Sequence, residues 1–194
     1  MSHNKTICKT INFELLLLFA LLVNSCRSDA TNDYIIDSNK IGDIKLCGKI
    51  SDLKKNYKNL KDTVFEGDEG VTWKGYVVKL NANEIVIVET SWIDSTSIFA
   101  ITTNSEKYKT LNGYHVGDKI SNIIANNEKI EFFEGEFHSF QLISKEIKFW
   151  FTIEEEYSNE FYQKLKESNG RMTFPELCNK DATIITIGIS GKCK

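Results

Sequence analysis

The chain has 194 residues, with 24 Lys plus Arg against 27 Asp plus Glu and a formal net charge of −3. At 41% hydrophobic and 26% charged residues it is too apolar for a disordered chain, and long enough for one domain, or two small ones, around a buried core. No basic excess is available to drive counterion release, so bulk charge excludes nucleic acid as the expected partner.

Residues 1–25 read as a targeting segment. Lys5 and Lys9 make a positive start, and an unbroken apolar run from Leu15 to Val23 follows. Those residues as a helix reach about 14 Å, less than half of a ~30 Å hydrocarbon core, so the run can start export but cannot span. Val23-Asn24-Ser25-Cys26 resembles the lipobox of bacterial lipoproteins: an aliphatic residue at −3, a small one at −1, then the cysteine. The resemblance implies a diacylglyceryl group on the Cys26 thiol, cleavage before Cys26 and acylation of the new amino group. Each buried methylene contributes ~0.8 kcal/mol, so several acyl chains would hold the protein on a membrane. Arg27 stands where enterobacterial lipoproteins retained at the inner membrane carry Asp, which implies the outer membrane. Residues 26–40, rich in Ser, Thr, Asn and Asp, read as a flexible tether, and 41–194 as the globular part.

The globular part shows one rhythm twice, with halves expected at 41–105 and 106–194. In the first, the strand-like 41–46 and a turn at Gly48 precede a short helix over 51–60. Leu53, Tyr57 and Leu60 share one face of that helix, and Ser51 is its expected N-cap. Strands are expected at 71–80, 84–92 and 97–103, the first two joined through Asn81-Ala82-Asn83, whose Asn residues tolerate positive φ. Ile85, Ile87 and Glu89 alternate with Val86, Val88 and Thr90, so both faces are apolar over four residues and the strand should be central. In the second half Asp118 should cap a helix bearing Ile120, Ile123 and Ile124. Strands over 129–133, 137–144 and 147–153, a helix over 158–168 and a last strand over 183–189 complete it. The expected class is α+β, mostly antiparallel sheet with two or three short helices in two similar halves.

The order of strand, glycine, short helix and antiparallel sheet, given twice, resembles the tandem modules of the β-lactamase-inhibitor-protein and SmpA/OmlA-like envelope lipoproteins. The stretch 105–118, with Ser105, Tyr108, Thr110, Gly113, Val116, Gly117 and Asp118, is similar to one in uncharacterised envelope lipoproteins. Where the inhibitor family has Gly-Met-Thr before the helix, this chain has Gly48-Lys49-Ile50-Ser51 and Gly117-Asp118-Lys119-Ile120, so no inhibitory residue carries over. What the likeness implies is a binding scaffold with a concave sheet. Gly113 and Gly117 read as backbone devices for the turn into the helix.

In the mature chain Cys26 is taken by lipid, and Cys47, Cys178 and Cys193 remain, which permits three single pairings. A bridge between Cys178 and Cys193 would straddle the last strand and pin the C-terminus, contributing ~3 kcal/mol. Cys47, in an apolar stretch, then reads as a buried small hydrophobe.

Catalytic and metal signatures are lacking. His115 and His138 have no partners at zinc-ligand spacing, and there is no Gly-x-Ser-x-Gly, His-Glu-x-x-His or P-loop. No cofactor is expected. Among the acidic clusters, Glu131, Glu134 and Glu136 alone suggest a carboxylate pair, with solvated turn charges as the simpler reading. Trp73, Tyr76 and Trp92 are the candidate binding surface, with core filling as the competing role. The expectation is a lipid-anchored envelope lipoprotein, not an enzyme, that binds a protein or an envelope component. The alternatives are an envelope hydrolase using the carboxylates near Glu131, or a structural lipoprotein of an envelope assembly.

Overall fold

A computed structural model describes residues 34–67, 70–126, 129–132, 140–143, 148–153, 167, 172–173, 181–191 and 193. Cys26, Cys178, Glu134, Glu136, the tether up to residue 33 and all but one residue of the expected 158–168 helix lie outside them.

The chain order is β1 (Ile35–Ile36), β2 (Lys40–Ile41), β3 (Ile44–Lys45), α1 (Ile50–Asn56), β4 (Leu60–Glu66), β5 (Thr72–Lys79), β6 (Ile85–Thr90), β7 (Ile98–Thr103) and β8 (Lys109–Thr110). It continues with α2 (Ile120–Ala125), β9 (Lys129–Phe132), β10 (Phe140–Ile143), β11 (Lys148–Ile153), β12 (Met172–Thr173) and β13 (Ile184–Ser190). The class is α+β, as expected. A nine-stranded sheet runs β12-β9-β10-β11-β13-β7-β6-β5-β4, and a four-stranded one β3-β2-β1-β8. Every pairing in the large sheet is antiparallel.

Two meanders, each entered through a short helix, meet at the pair β13–β7 in the middle of the large sheet. The same hydrogen bonds build the approach to each helix. The Cys47 amide donates to the Ile98 carbonyl (2.7 Å) and the Gly117 amide to that of Ile184 (2.8 Å). Ile98 and Ile184 donate back to Gly48 and Asp118 at 3.0 and 2.9 Å. Ile50 and Ile120, the first helical residues, donate to Thr96 and Ala182 at 2.9 and 3.0 Å. Isolated bridges Lys49–Ser97 and Lys119–Thr183 complete the match. The chain must bend sharply here, so Cys47 has φ 62° and Gly117 φ 93°. Glycine adopts such a backbone without Cβ crowding; cysteine does so at a cost of about 1 kcal/mol.

Even-numbered residues of β5 and β6 (Tyr76, Val78, Val86, Val88) face the core with Ile101, Ile187, Ile189, Phe149 and Phe151. Leu53 and Ile50 of α1, and Ile120 and Ile123 of α2, close the same core, while the small sheet contributes Ile36 and Ile41. Each such side chain contributes about 1.5–3 kcal/mol on burial. On the opposite face, aromatic rings lie directly on glycines: Phe65 on Gly75, and Trp150 on Gly188. A methyl group at either glycine would strike the ring, which is why no larger residue stands there.

Several local expectations are corrected. Residues 34–40 are not tether: Ile35–Ile36 pairs with both β2 and β8, and Ile36 is fully buried. The polar stretch after it is a turn, with the Asp37 carboxylate accepting from the Asn39 and Lys40 amides at 2.8 and 3.1 Å. Ser51 does not cap α1; Lys49 holds that position without a side-chain bond. Leu60 leaves the helix and opens β4, a strand not anticipated. The β5–β6 turn needs no positive φ at asparagine, because the Asn81 side-chain oxygen accepts from the Asn83 and Glu84 amides, each at 2.9 Å. Asp118 accepts from the His115 amide at 2.9 Å, closing the turn ahead of α2.

Candidate functional site

A groove of about 670 Å³ opens at the corner where β5 begins, β6 ends and β7 begins, within the size range of ligand pockets. Trp73, Glu89, Trp92, Ile93, Asp94 and Phe99 give it its character, with Thr90, Ser91, Ser97 and Cys193 between them. The register explains how they converge. Glu89 pairs with Gly75 across β5–β6, so Trp73, two residues along, lies on the same face and diagonal to it. The indole N–H of Trp73 donates to Glu89 Oε2 at 2.8 Å, and the ring stacks on Phe65 with centroids 5.9 Å apart.

Between Glu89 and Thr90 the register slips: Glu89 opposes Ala100 but Thr90 opposes Ile98. Phe99 is therefore the extra residue of a β-bulge, a device that re-aims a side chain. It is 38% exposed at the groove. The loop after β6 presents Trp92 and Ile93, which are 71% and 78% exposed. Its shape is held from within. The Asp94 carboxylate accepts from the Thr96 amide (2.8 Å), the Thr96 hydroxyl (2.6 Å) and the Ser97 hydroxyl. These bonds, that of Ser97 first, keep the Asp94 carboxyl below its ordinary range. Glu89 goes the other way. Burial raises its pKa, and the single bond from Trp73 only partly offsets this.

Two of the three surface candidates, Trp73 and Trp92, thus come together. Tyr76 does not: it is 4% exposed on the core face, because its even position in β5 points away from Trp73 and Glu89. Lys54 of α1 covers its ring at 4.9 Å. The expected Cys178–Cys193 bridge is also corrected, since Cys193 is bonded to Cys47 with Cα atoms 5.3 Å apart. The ladder explains the pairing. Past Ser190–Ala100 the chain still follows β7, with the Gly191 amide donating to Phe99, while Cys47 donates to Ile98 beside it. Cys47 is therefore neither free nor buried.

Glu131 lies on β9, opposite Gln141 and Thr173; the rest of its proposed acidic cluster is outside the described residues. Glu89, Asp94, Ile93 and Phe99 were not singled out from the sequence. The available signals were a carboxylate interrupting an apolar strand and an Asp-Ser-Thr-Ser turn next to Trp92. Among the described residues, no group of three or more His, Cys, Asp or Glu is placed to hold a metal ion, and no helix is long and apolar enough to cross a membrane.

Neither a family model nor a curated protein matches the sequence. Two solved chains do match in structure. One is the crystal structure of the uncharacterized protein yfeY from Escherichia coli, at TM-score 0.53 and 10% identity, covering 80% of this chain and 99% of that one. At that identity the likeness extends to the fold alone.

Proposed function

We propose that this protein is a lipid-anchored lipoprotein of the cell envelope, at the outer membrane in preference to the inner, which binds a ligand or partner without catalysing a reaction. The anchor is Cys26, on the strength of the lipobox-like Val23-Asn24-Ser25-Cys26. The binding surface is the groove at Trp73, Trp92 and Phe99. One observation carries this reading: Trp92, Ile93 and Phe99 are held out of the core around a groove by a bulge and a hydrogen-bonded loop. Exposing several large apolar side chains together has a solvation cost, and such patches mark interaction sites. The likeness to envelope binding scaffolds agrees with it. A Cys47–Cys193 bridge also suits export to an oxidising space.

The test has two arms. Labelled palmitate should enter the wild-type protein and not Cys26→Ala, and the variant should leave the membrane fraction. Crosslinked envelopes should yield partners with wild type that are lost with Trp92→Ala. Unchanged labelling in Cys26→Ala, or the same partners with Trp92→Ala, would refute the corresponding part.

A further inference from the structure

We propose that the groove between Trp73, Trp92 and Phe99 is a binding site for an organic cation, an ammonium or guanidinium group on an apolar body, with Glu89 as its counter-charge. This rests on the reading of the groove as a binding surface and names the chemistry that fits it.

The argument begins with what is unbalanced. Glu89 is half-buried in an apolar strand, and its carboxylate receives one hydrogen bond, from the Trp73 indole, among the described residues. A carboxylate offers about four acceptor positions, and buried charges are as a rule paired. Among the described residues none supplies a pair. Among the described residues lining the groove, both ionisable groups are acidic, Glu89 and Asp94, and none is basic. Lys74, next in sequence to Trp73, points to the opposite face of β5, opposite Val64. Asp94 spends its acceptors on its own loop, so it adds negative field without needing a partner.

The walls point to the same ligand. Two indoles and a phenyl ring line the groove. Aromatic faces attract cations through their quadrupole, tryptophan most strongly, and the attraction grows as water is excluded. An anion would meet two carboxylates, and a purely apolar ligand would leave Glu89 buried and unpaired. A cation carried on an apolar body satisfies the rings and the carboxylate together, and its charge favours the ionised form that burial of Glu89 opposes.

The test uses the full-length protein in detergent, read by tryptophan fluorescence and calorimetry with matched probes. Choline is set against its uncharged analogue 3,3-dimethylbutanol, and acetyl-Gly-Lys-Gly-amide against the same peptide with norleucine for lysine. The cation of at least one pair should bind about tenfold more tightly than its neutral partner. Choline points to a small-molecule ammonium, the lysine peptide to a side chain of a protein partner. Glu89→Gln, which keeps an acceptor for the Trp73 indole, should remove that preference, and Trp92→Ala should weaken the cation severalfold. The proposal is overturned if each neutral analogue binds as well as its cation, if Glu89→Gln leaves the preference intact, or if neither cation binds at about 10 mM. In those cases the groove's role as a partner surface stands or falls separately, on whether Trp92→Ala loses envelope crosslinks.

Discussion

The two strand-to-helix junctions follow one plan and differ at its left-handed position. At 116–120 the left-handed position is Gly117; at 46–50 it is Cys47, and in each its amide N–H donates to the carbonyl of the first residue of a sheet-centre strand. A glycine leaves the bend free of strain and makes no further use of it. A cysteine accepts some strain, and its side chain then reaches the C-terminal Cys193. The first junction is thus clamped to the end of the chain, and the groove lies beside that clamp, with Cys193 on its wall. Among the described residues, one repeated backbone device stands alone at the second junction, and at the first carries a disulfide beside the groove.

The largest expected effect breaks the clamp. Cys47→Ser with Cys193→Ser removes a crosslink between residues 146 apart and should cost about 2–4 kcal/mol in denaturant unfolding, with reductant doing the same to wild type. Replacing serine by glycine at position 47 in that background should restore about 1 kcal/mol, because the backbone strain goes with the side chain. Equal midpoints for the serine and glycine forms would mean that the bend costs cysteine nothing.

The mirror experiment is Gly117→Ala. The added methyl would sit 3.5 Å from the Glu106 side chain, an ordinary contact, so the cost is the backbone conformation alone, about 1–2 kcal/mol. A loss much below that would separate the two junctions energetically despite their shared hydrogen bonds.

A smaller effect concerns the groove. Glu89 has its pKa raised above its ordinary value of 4.5 by burial. The folded state then holds the proton more tightly than the unfolded one. The associated stability is fully present below pH 4.5 and is lost as pH rises through the folded-state value. Glu89→Gln should abolish that part of the pH dependence and leave the protein at least as stable as wild type at neutral pH. A variant that unfolds earlier than wild type at neutral pH would contradict it.

What the sequence makes legible follows from what each residue can express locally. The alternation in β6 and the apolar faces of both helices are local, and β5, β6 and β7 fall inside the stretches expected to be extended. Gly117 announces its bend by being glycine, whereas Cys47 conceals the same bend behind a side chain. Leu60 fits a helical period as well as a strand, so β4 was hidden. Trp73 and Tyr76 lie three apart, which sets them on opposite faces of a strand, so they could not share a surface once β5 was a strand. The Cys47–Cys193 bond depends on β13 lying against β7, a long-range pairing that spacing does not encode. Glu89 is identifiable as a groove residue only when the bulge at Phe99 is known.

The comparison of the halves is most directly tested by photo-crosslinking in intact envelopes, with a photoreactive residue placed at Trp92 or at Leu111, the latter 60% exposed in the turn between Thr110 and Tyr114 that precedes the second junction. The account predicts a discrete adduct from position 92 and none from position 111. Equal labelling at both, or adducts at 111 alone, would contradict it.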